Sequence, residues 1–374
     1  MNNNKISVIK KSIADLLEEE VEKLTFPSYA VGVCLDKKNS SREWLIVSGQ
    51  RKMAAVNNDR KKKYYDLASL TKPLATVLSI VSLAGAGKLA LDDRLDQYLP
   101  GTLPPDKRVI TIRQLLNHSS GLPAHRPYFE TLQNLTPPDR PGELRRLVLA
   151  EKLKAPPTTI VTYSDLGYLL LGMIVEELSG LGLAQYFSER IAGPLGLAEG
   201  IFFNPLDNSR KARDEFFPTE NCLWRGKVLQ GEVSDENCWA LGGVAGHAGL
   251  FGDIESVMGL TSAILDIWQG RREHPHIRRE ELALFLEAKS EVAGSTWALG
   301  FDRPTPGGSS SGKYLSPSSV GHLGFTGTSF WIDPDKGLVV VLLTNRVHPN
   351  RDNVLIREFR PLFHDRVVEL LGLV

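Results

Sequence analysis

Cysteine is scarce in this chain: Cys34, Cys222 and Cys238 are the only three in 374 residues, and they lie far apart. An odd, scattered set shows neither a disulfide framework nor metal-ligand spacing. Charge of one sign is not in excess either. Lysine plus arginine and aspartate plus glutamate number 44 each, so no overall basic field draws in nucleic acid or anionic lipid. The local basic stretch RKKKYY at 60–65 reads as a solvated strand entry. Long hydrophobic runs are missing, and no segment reads as long and apolar enough to span a bilayer. The first residues have no apolar stretch of signal-peptide length and no small-residue cleavage site. A reducing cytoplasm is the expected setting, with no nucleic acid and no membrane as partners. The sequence has no internal repeat and no low-complexity tract.

What is present is the balance of an ordinary globular protein, 42% hydrophobic and 24% charged. The length is comfortable for two domains. Ile6, Ile9, Ile13, Leu16, Leu17, Val21 and Leu24 recur at helical spacing, which predicts an amphipathic first helix. SYAVGVCLD (28–36) and REWLIVSGQ (42–50) read as strands, with KKNSS between them as the turn. Residues 73–90 read as helix. From about 92 to 290 the chain offers helix-like pieces, such as SDLGYLLLGMIVEELSG, and the glycine-rich ALGGVAGHAGLFGD (240–253). Strand signals return in VGHLGFTGTSFWIDP (320–334) and GLVVVLLTNRV (337–347), and a helix over roughly 352–371 closes the chain. The expected fold is α+β. Residues 1–91 and 291–374 build one antiparallel sheet flanked by the first and last helices, and 92–290 form a mostly helical insertion.

The stretch YYDLASLTKPLATVLSIVSLAG (64–85) carries the first chemical signal. Residues three apart share a helix face, so Ser69 and Lys72 present hydroxyl and amine side by side. Pro73 fits a first helical turn, where a missing N–H costs nothing. A serine hydroxyl becomes a nucleophile only when a base takes its proton. The bland alternative is an N-cap serine with a solvent-facing lysine, and the apolar flanks argue against it. Tyr163-Ser164-Asp165 opens a second apolar helix, and His322-Leu323-Gly324 lies on a late strand.

Together these motifs resemble those of the penicillin-recognising serine hydrolases: class C β-lactamases, D-alanyl-D-alanine peptidases, esterases and D-aminopeptidases. That family carries S-x-x-K, Y-x-N and K-T-G or H-x-G in this chain order; the class A set is S-x-x-K, S-D-N and K-T-G. The resemblance spans about 28 to 347 and includes LLNHSSGLP (115–123), a turn typical of the family. It implies a β-lactamase/transpeptidase-like fold and an acyl-enzyme mechanism. By the same resemblance Ser69 is the nucleophile and Lys72 shares in activating it. Tyr163 relays the proton to the leaving group, and His322 orients Tyr163 or binds a substrate carboxylate. The backbone N–H groups of Ser69 and Phe325 form the oxyanion hole, while Asp165 and Gly324 contact substrate.

Two positions depart from the family pattern. Asp165 stands where asparagine is usual, which favours a charged Lys72 and shifts the proton-acceptor role toward Tyr163. His322 stands where lactamases have lysine, so the third motif pulls less on a carboxylate. Ser164-Asp165-Leu166 also reads as a degraded S-D-N, although the tyrosine register fits better. GAGKLALDD (85–93) fails the phosphate-loop spacing. His118 and His125 lack zinc spacing, and His247 reads as structural. No metal and no cofactor are expected. The expected activity is hydrolysis of a small ester or amide, with muropeptides or D-amino-acid peptides among the candidates. The alternatives are β-lactamase or DD-carboxypeptidase activity, or a non-catalytic β-lactam-binding or scaffold protein.

Overall fold

The computed structural model describes residues 3–36, 42–50, 63–99, 101 and 103–374. Strands β1 (Ser28–Asp36) and β2 (Arg42–Gln50) come from the start of the chain; β3 (Val320–Leu323), β4 (Ser329–Asp333) and β5 (Leu338–Thr344) come from its end. They form one antiparallel sheet in the order β2-β1-β5-β4-β3. The two ends of the chain meet at its centre, where Val33 pairs with Val340. The turn expected at 37–41 and the first residues of the basic stretch, 60–62, lie outside the described residues. Of that stretch, Lys63 is half-buried and Tyr64 and Tyr65 are buried.

The principal helices are α1 (Asn3–Glu22), α2 (Leu78–Gly85), α3 (Asp165–Ser179), α4 (Ile254–Trp268) and α5 (Ile356–Leu371). Strand β5 is buried on both faces, which is why LVVVLL reads as an unbroken apolar run rather than an alternation. Leu338, Val340 and Leu342 join Ile9, Ile13 and Leu17 of α1 and Phe363 and Val367 of α5 in one core. Val339, Val341 and Leu343 face the other way, into a larger core with Val257, Met258 and Ile264 of α4. The first and last helices therefore share one face of the sheet, as expected. Helix α4, which the sequence grouped with the central insertion, packs on the opposite face.

The central stretch also holds a small sheet in which Leu250–Gly252 lies between Tyr65–Asp66 and Ile201–Phe203. This sheet sets the glycine-rich segment beside the chain leading into Ser69. From there a continuous helical run covers Ala68–Gly85, apolar and long enough to cross a membrane but 89% buried within the fold. It is a core helix, and it corrects the expectation that no such segment exists.

Close approach between α4 and the sheet depends on Gly32 of β1, where an added Cβ would lie 2.2 Å from Cγ of Met258. Overpacking of a filled core costs about 1–3 kcal/mol. Gly32→Val is therefore expected to destabilise the protein by about that amount, read as a lower denaturation midpoint. An unchanged midpoint would show that α4 yields freely.

Candidate active site

The approach to Ser69 is not a simple α-helix start. Residues 68–70 form a 3₁₀ turn and 72–77 a π-helical stretch before α2 begins. The widening coincides with Pro73, which has no N–H to give to the carbonyl four residues back. Ala68 adopts a left-handed φ of +47° immediately before Ser69, a conformation that costs a β-carbon-bearing residue energy. Asp66 holds it there. Its buried carboxylate accepts the Ala68 N–H at 2.9 Å and the Ser234 N–H at 2.7 Å. The backbone carbonyl of Asp66 accepts the Thr326 hydroxyl at 2.7 Å, and that of Leu67 accepts the Thr328 hydroxyl at 3.1 Å.

Those threonines belong to the turn after β3. Gly324 there must be glycine, since a Cβ would meet Thr328 Oγ1 at 2.0 Å and the Leu67 carbonyl at 2.8 Å. Arg360 donates to the carbonyls of Gly324 and Thr328, and Arg346 to that of Phe325. The turn is thus pinned from both sides, and Phe325 and Ser69 both belong to the wall of one cavity.

Tyr163 and Asp165 are set by the 115–124 turn. His118, itself left-handed, accepts the Ser164 N–H on Nδ1 at 3.1 Å and the Thr162 N–H on its carbonyl at 2.9 Å. The Ala124 carbonyl accepts the Asp165 N–H, and the Ser164 side chain caps α3. The imidazole of His118 packs against the rings of Tyr163 at 4.7 Å and Trp297 at 4.6 Å.

These elements bring the sequence-selected residues together. Ser69, Tyr163, Asp165, His322, Gly324 and Phe325 line one cavity of about 570 Å³. Lys72 is fully buried at its base. Its Nζ donates to Ser69 Oγ at 3.0 Å and to the His247 carbonyl at 3.2 Å, and pairs with Asp165 Oδ1 at 2.7 Å. It also lies 4.9 Å from the centre of the Tyr163 ring. Burial alone would lower the Lys72 pKa, but the charge of Asp165 and contact with Tyr163 outweigh it and raise it above the usual lysine value. Burial likewise opposes ionisation of Asp165, and Lys72 overcomes it, holding the carboxyl well below the usual range. Burial raises the Tyr163 phenol, against the pull of Lys72. At neutral pH the site holds an ammonium, a carboxylate and a neutral phenol.

Asp165 sits beside Lys72, as its place in the second motif leads one to expect, whereas His322 and His247 do not sit as expected. Asp165 reaches Lys72 and His125, whose Nδ1 is 3.4 Å away, so its carboxylate is occupied before any substrate arrives. His322 stacks 5.9 Å from the Tyr163 ring but hydrogen-bonds to the Leu323 carbonyl, so it does not orient the phenol by a hydrogen bond. His247, read as structural, lines the cavity and pairs with Asp235 at 2.8 Å. Asp66, Asp235 and Trp297 escaped the sequence reading, and His118 and His125 entered it only as histidines without zinc spacing. An aspartate two residues before Ala68 is a recognisable Asx-turn signal, and Asp235 precedes a short helix as a cap. Trp297 carries no local signal. Among the described residues no group of three or more His, Cys, Asp or Glu side chains converges as a metal site.

Comparison with known proteins gives a consistent result. A family model described as Beta-lactamase matches residues 13–363. An Escherichia coli K12 protein, provisionally named a D-alanyl-D-alanine carboxypeptidase, is 34% identical over 307 residues, covering 76% of this chain and 69% of its own. The N-acetylmuramyl-L-alanine amidase of Bacillus subtilis 168 is 33% identical over 320 residues, covering 77% and 69%. Among solved structures, EstCE1, a hydrolase with promiscuous acyltransferase activity, superposes with a TM-score of 0.70 at 20% identity, covering 97% of this chain and 98% of its own. The octameric penicillin-binding protein homologue from Pyrococcus abyssi also gives 0.70, at 19% identity, covering 97% and 77%. These two likenesses concern the fold.

The Asp66 clamp has a measurable signature. Burial pushes its pKa from 3.8 up to about 6, even with two amides donating to it. The folded protein then holds this proton more tightly than the unfolded chain. Its stabilising contribution is complete below 3.8 and is lost as the pH rises through about 6. Asp66→Asn, which cannot titrate, should therefore gain stability relative to the wild type between pH 4 and pH 7, as read from denaturant midpoints. A constant difference across that range would contradict the assignment.

Proposed function

The chain belongs to the Beta-lactamase family and is a hydrolase, and on that premise we propose that it works through an acyl-enzyme on Ser69, cleaving a small ester or amide. The observation that carries this reading is that Ser69 and Tyr163 share one cavity, whose wall also includes Phe325, with the buried Lys72 Nζ against both of them. In the first half-reaction Ser69 Oγ attacks the carbonyl carbon. Its proton passes to the Tyr163 oxygen as Tyr163 gives its own proton to the departing alkoxide or amine. A phenol that stays neutral at rest suits such a shuttle, because it needs no prior deprotonation. Lys72 remains an ammonium, paired with Asp165, and stabilises negative charge as it develops on Ser69 and Tyr163. The Ser69 and Phe325 N–H groups receive the carbonyl oxygen; each such donor contributes about 10²–10³ in rate. In the second half-reaction water attacks the acyl carbon, Tyr163 takes its proton, and Ser69 is released with a proton returned from Tyr163.

The names of the relatives from E. coli and B. subtilis both specify amide bonds to alanine, which supports a muropeptide or a D-alanyl peptide as the substrate class. Aryl esters, an N-acetylmuramyl-L-alanine peptide, a D-alanyl-D-alanine peptide and a chromogenic cephalosporin separate these activities. Muropeptides left intact by an enzyme that cleaves aryl esters would remove muropeptides as the substrate class.

Ser69→Ala is expected to abolish turnover and labelling by a fluorophosphonate probe. Tyr163→Phe should lower kcat by about 10²–10⁴, the usual size of a general acid–base contribution. Full turnover in Tyr163→Phe would remove its relay role, and turnover in Ser69→Ala would remove the acyl-serine altogether.

A further inference from the structure

His322 lies on β3, buried to 2% exposure, and lines the cavity that holds Ser69. Its Nδ1 is 2.9 Å from the Leu323 carbonyl oxygen. A carbonyl only accepts, so Nδ1 carries the proton of the ring. A neutral imidazole has one N–H, which leaves Nε2 as a bare acceptor. Burial and the nearby charge of Lys72 keep the ring neutral, with its pKa held down to about 3. That Nε2 is buried and has no hydrogen-bond partner among the described residues. Its neighbours include the rings of Tyr163 and Trp297, at 5.9 and 5.7 Å between centres. The Tyr163 hydroxyl engages Lys72 and Ser69.

Buried acceptors in folded proteins have donors, and each exception calls for an explanation. A lysine at this position, as in lactamases, would attract a carboxylate. A bare imidazole nitrogen repels one and calls for a donor. Arg346, Arg351, Arg357 and Arg360 also line the cavity and carry positive charge; Arg346 and Arg360 direct N–H groups to the backbone carbonyls of this turn, and Nε2 itself remains an acceptor that calls for a donor.

We propose that His322 is a specificity-determining residue whose Nε2 accepts a hydrogen bond from a substrate N–H or O–H, so that the enzyme selects donor-bearing substrates and disfavours a carboxylate at this point. The proposal rests on the acyl-serine reading above. It deepens that reading by naming what the third motif recognises: an amide N–H or a sugar-like hydroxyl.

The test uses twin aryl esters that differ only in the donor. N–H and N-methyl amides form one pair, and hydroxyl and O-methyl compounds another. Each pair is made with the donor on the acyl side and on the leaving side, and a carboxylate twin is added. In the wild type at least one free donor should exceed its methylated twin in kcat/KM by tenfold or more, and the pair that responds identifies amide or hydroxyl. The carboxylate twin should be the poorest. In His322→Lys the donor preference should disappear and the carboxylate twin should gain. Because a lysine there could disturb folding, ¹⁵N NMR of the imidazole provides a second reading. Nε2 should resonate as an unprotonated nitrogen and shift when the preferred donor-bearing ester is bound to Ser69→Ala, but not with the methylated twin. Equal rates across every pair, or a proton found on Nε2 in the free protein, would overturn the proposal. Ser69-dependent turnover without donor preference would leave the hydrolase reading intact, whereas turnover in Ser69→Ala would defeat the reading itself.

Discussion

The buried ion pair between Lys72 and Asp165, 2.7 Å long, is the contact on which the site depends. It joins the helical run that carries Ser69 to the first residue of α3, and so fixes the distance from Ser69 to Tyr163. Taking two charges out of water is expensive, and a pair survives burial only when its geometry and additional hydrogen bonds compensate. Here Ser69 Oγ and the His247 carbonyl accept from the ammonium, and His125 approaches the second carboxylate oxygen. Removing either partner would leave an uncompensated charge in the interior, so the pair constrains the fold as much as the chemistry. Its field also extends across the cavity. The charge of Lys72 adds to burial in holding His322 and His118 neutral.

A second constraint acts on the backbone. Ser69 follows a left-handed Ala68, and nothing in the alanine side chain favours that conformation. The energy comes from elsewhere: Asp66 takes the Ala68 amide, and the Asp66 and Leu67 carbonyls take the two threonine hydroxyls of the turn after β3. The same few residues therefore decide where the hydroxyl of Ser69 lies and where the Phe325 amide lies. This coupling gives a physical reason for a strand drawn from the end of the chain to meet a helix drawn from its beginning. If the Ser69 and Phe325 amides act together as proposed, they need fixed relative positions, and these shared hydrogen bonds would hold them.

Much of this was legible in the sequence, and the boundary has a physical cause. The spans 28–36 and 42–50 match β1 and β2 because hydrophobic patterning and β-propensity agree there. The spacing of Ser69 and Lys72, the tyrosine two residues before Asp165 and the late His322-x-Gly324 were enough to select the residues that converge. What stayed hidden depends on partners distant in the chain. The π-helical stretch after Ser69 follows from a packing environment that Pro73 alone does not reveal. His118 carries no ligand spacing, and its part is to hold the backbone 46 residues later. Trp297 arrives from a loop with no pattern. The placement of α4 on the sheet was missed because an amphipathic helix does not state which partner covers it.

The two departures from the family pattern are best understood as one change. A site with lysine in the first motif, asparagine in the second and lysine in the third holds two positive charges. The corresponding side chains here are Lys72, Asp165 and a neutral His322, whose charges cancel. A single substitution would leave an imbalance. An aspartate beside two lysines would compete with any anionic substrate, and a histidine beside asparagine would leave Lys72 without a counter-ion and lower its pKa by burial. With both changes the ammonium keeps its charge and the three motif side chains together carry no net charge, while Arg346, Arg351, Arg357 and Arg360 still line the cavity. At the third motif itself, recognition under the proposal above rests on a hydrogen bond to the unpartnered Nε2 of His322 rather than on a charged side chain.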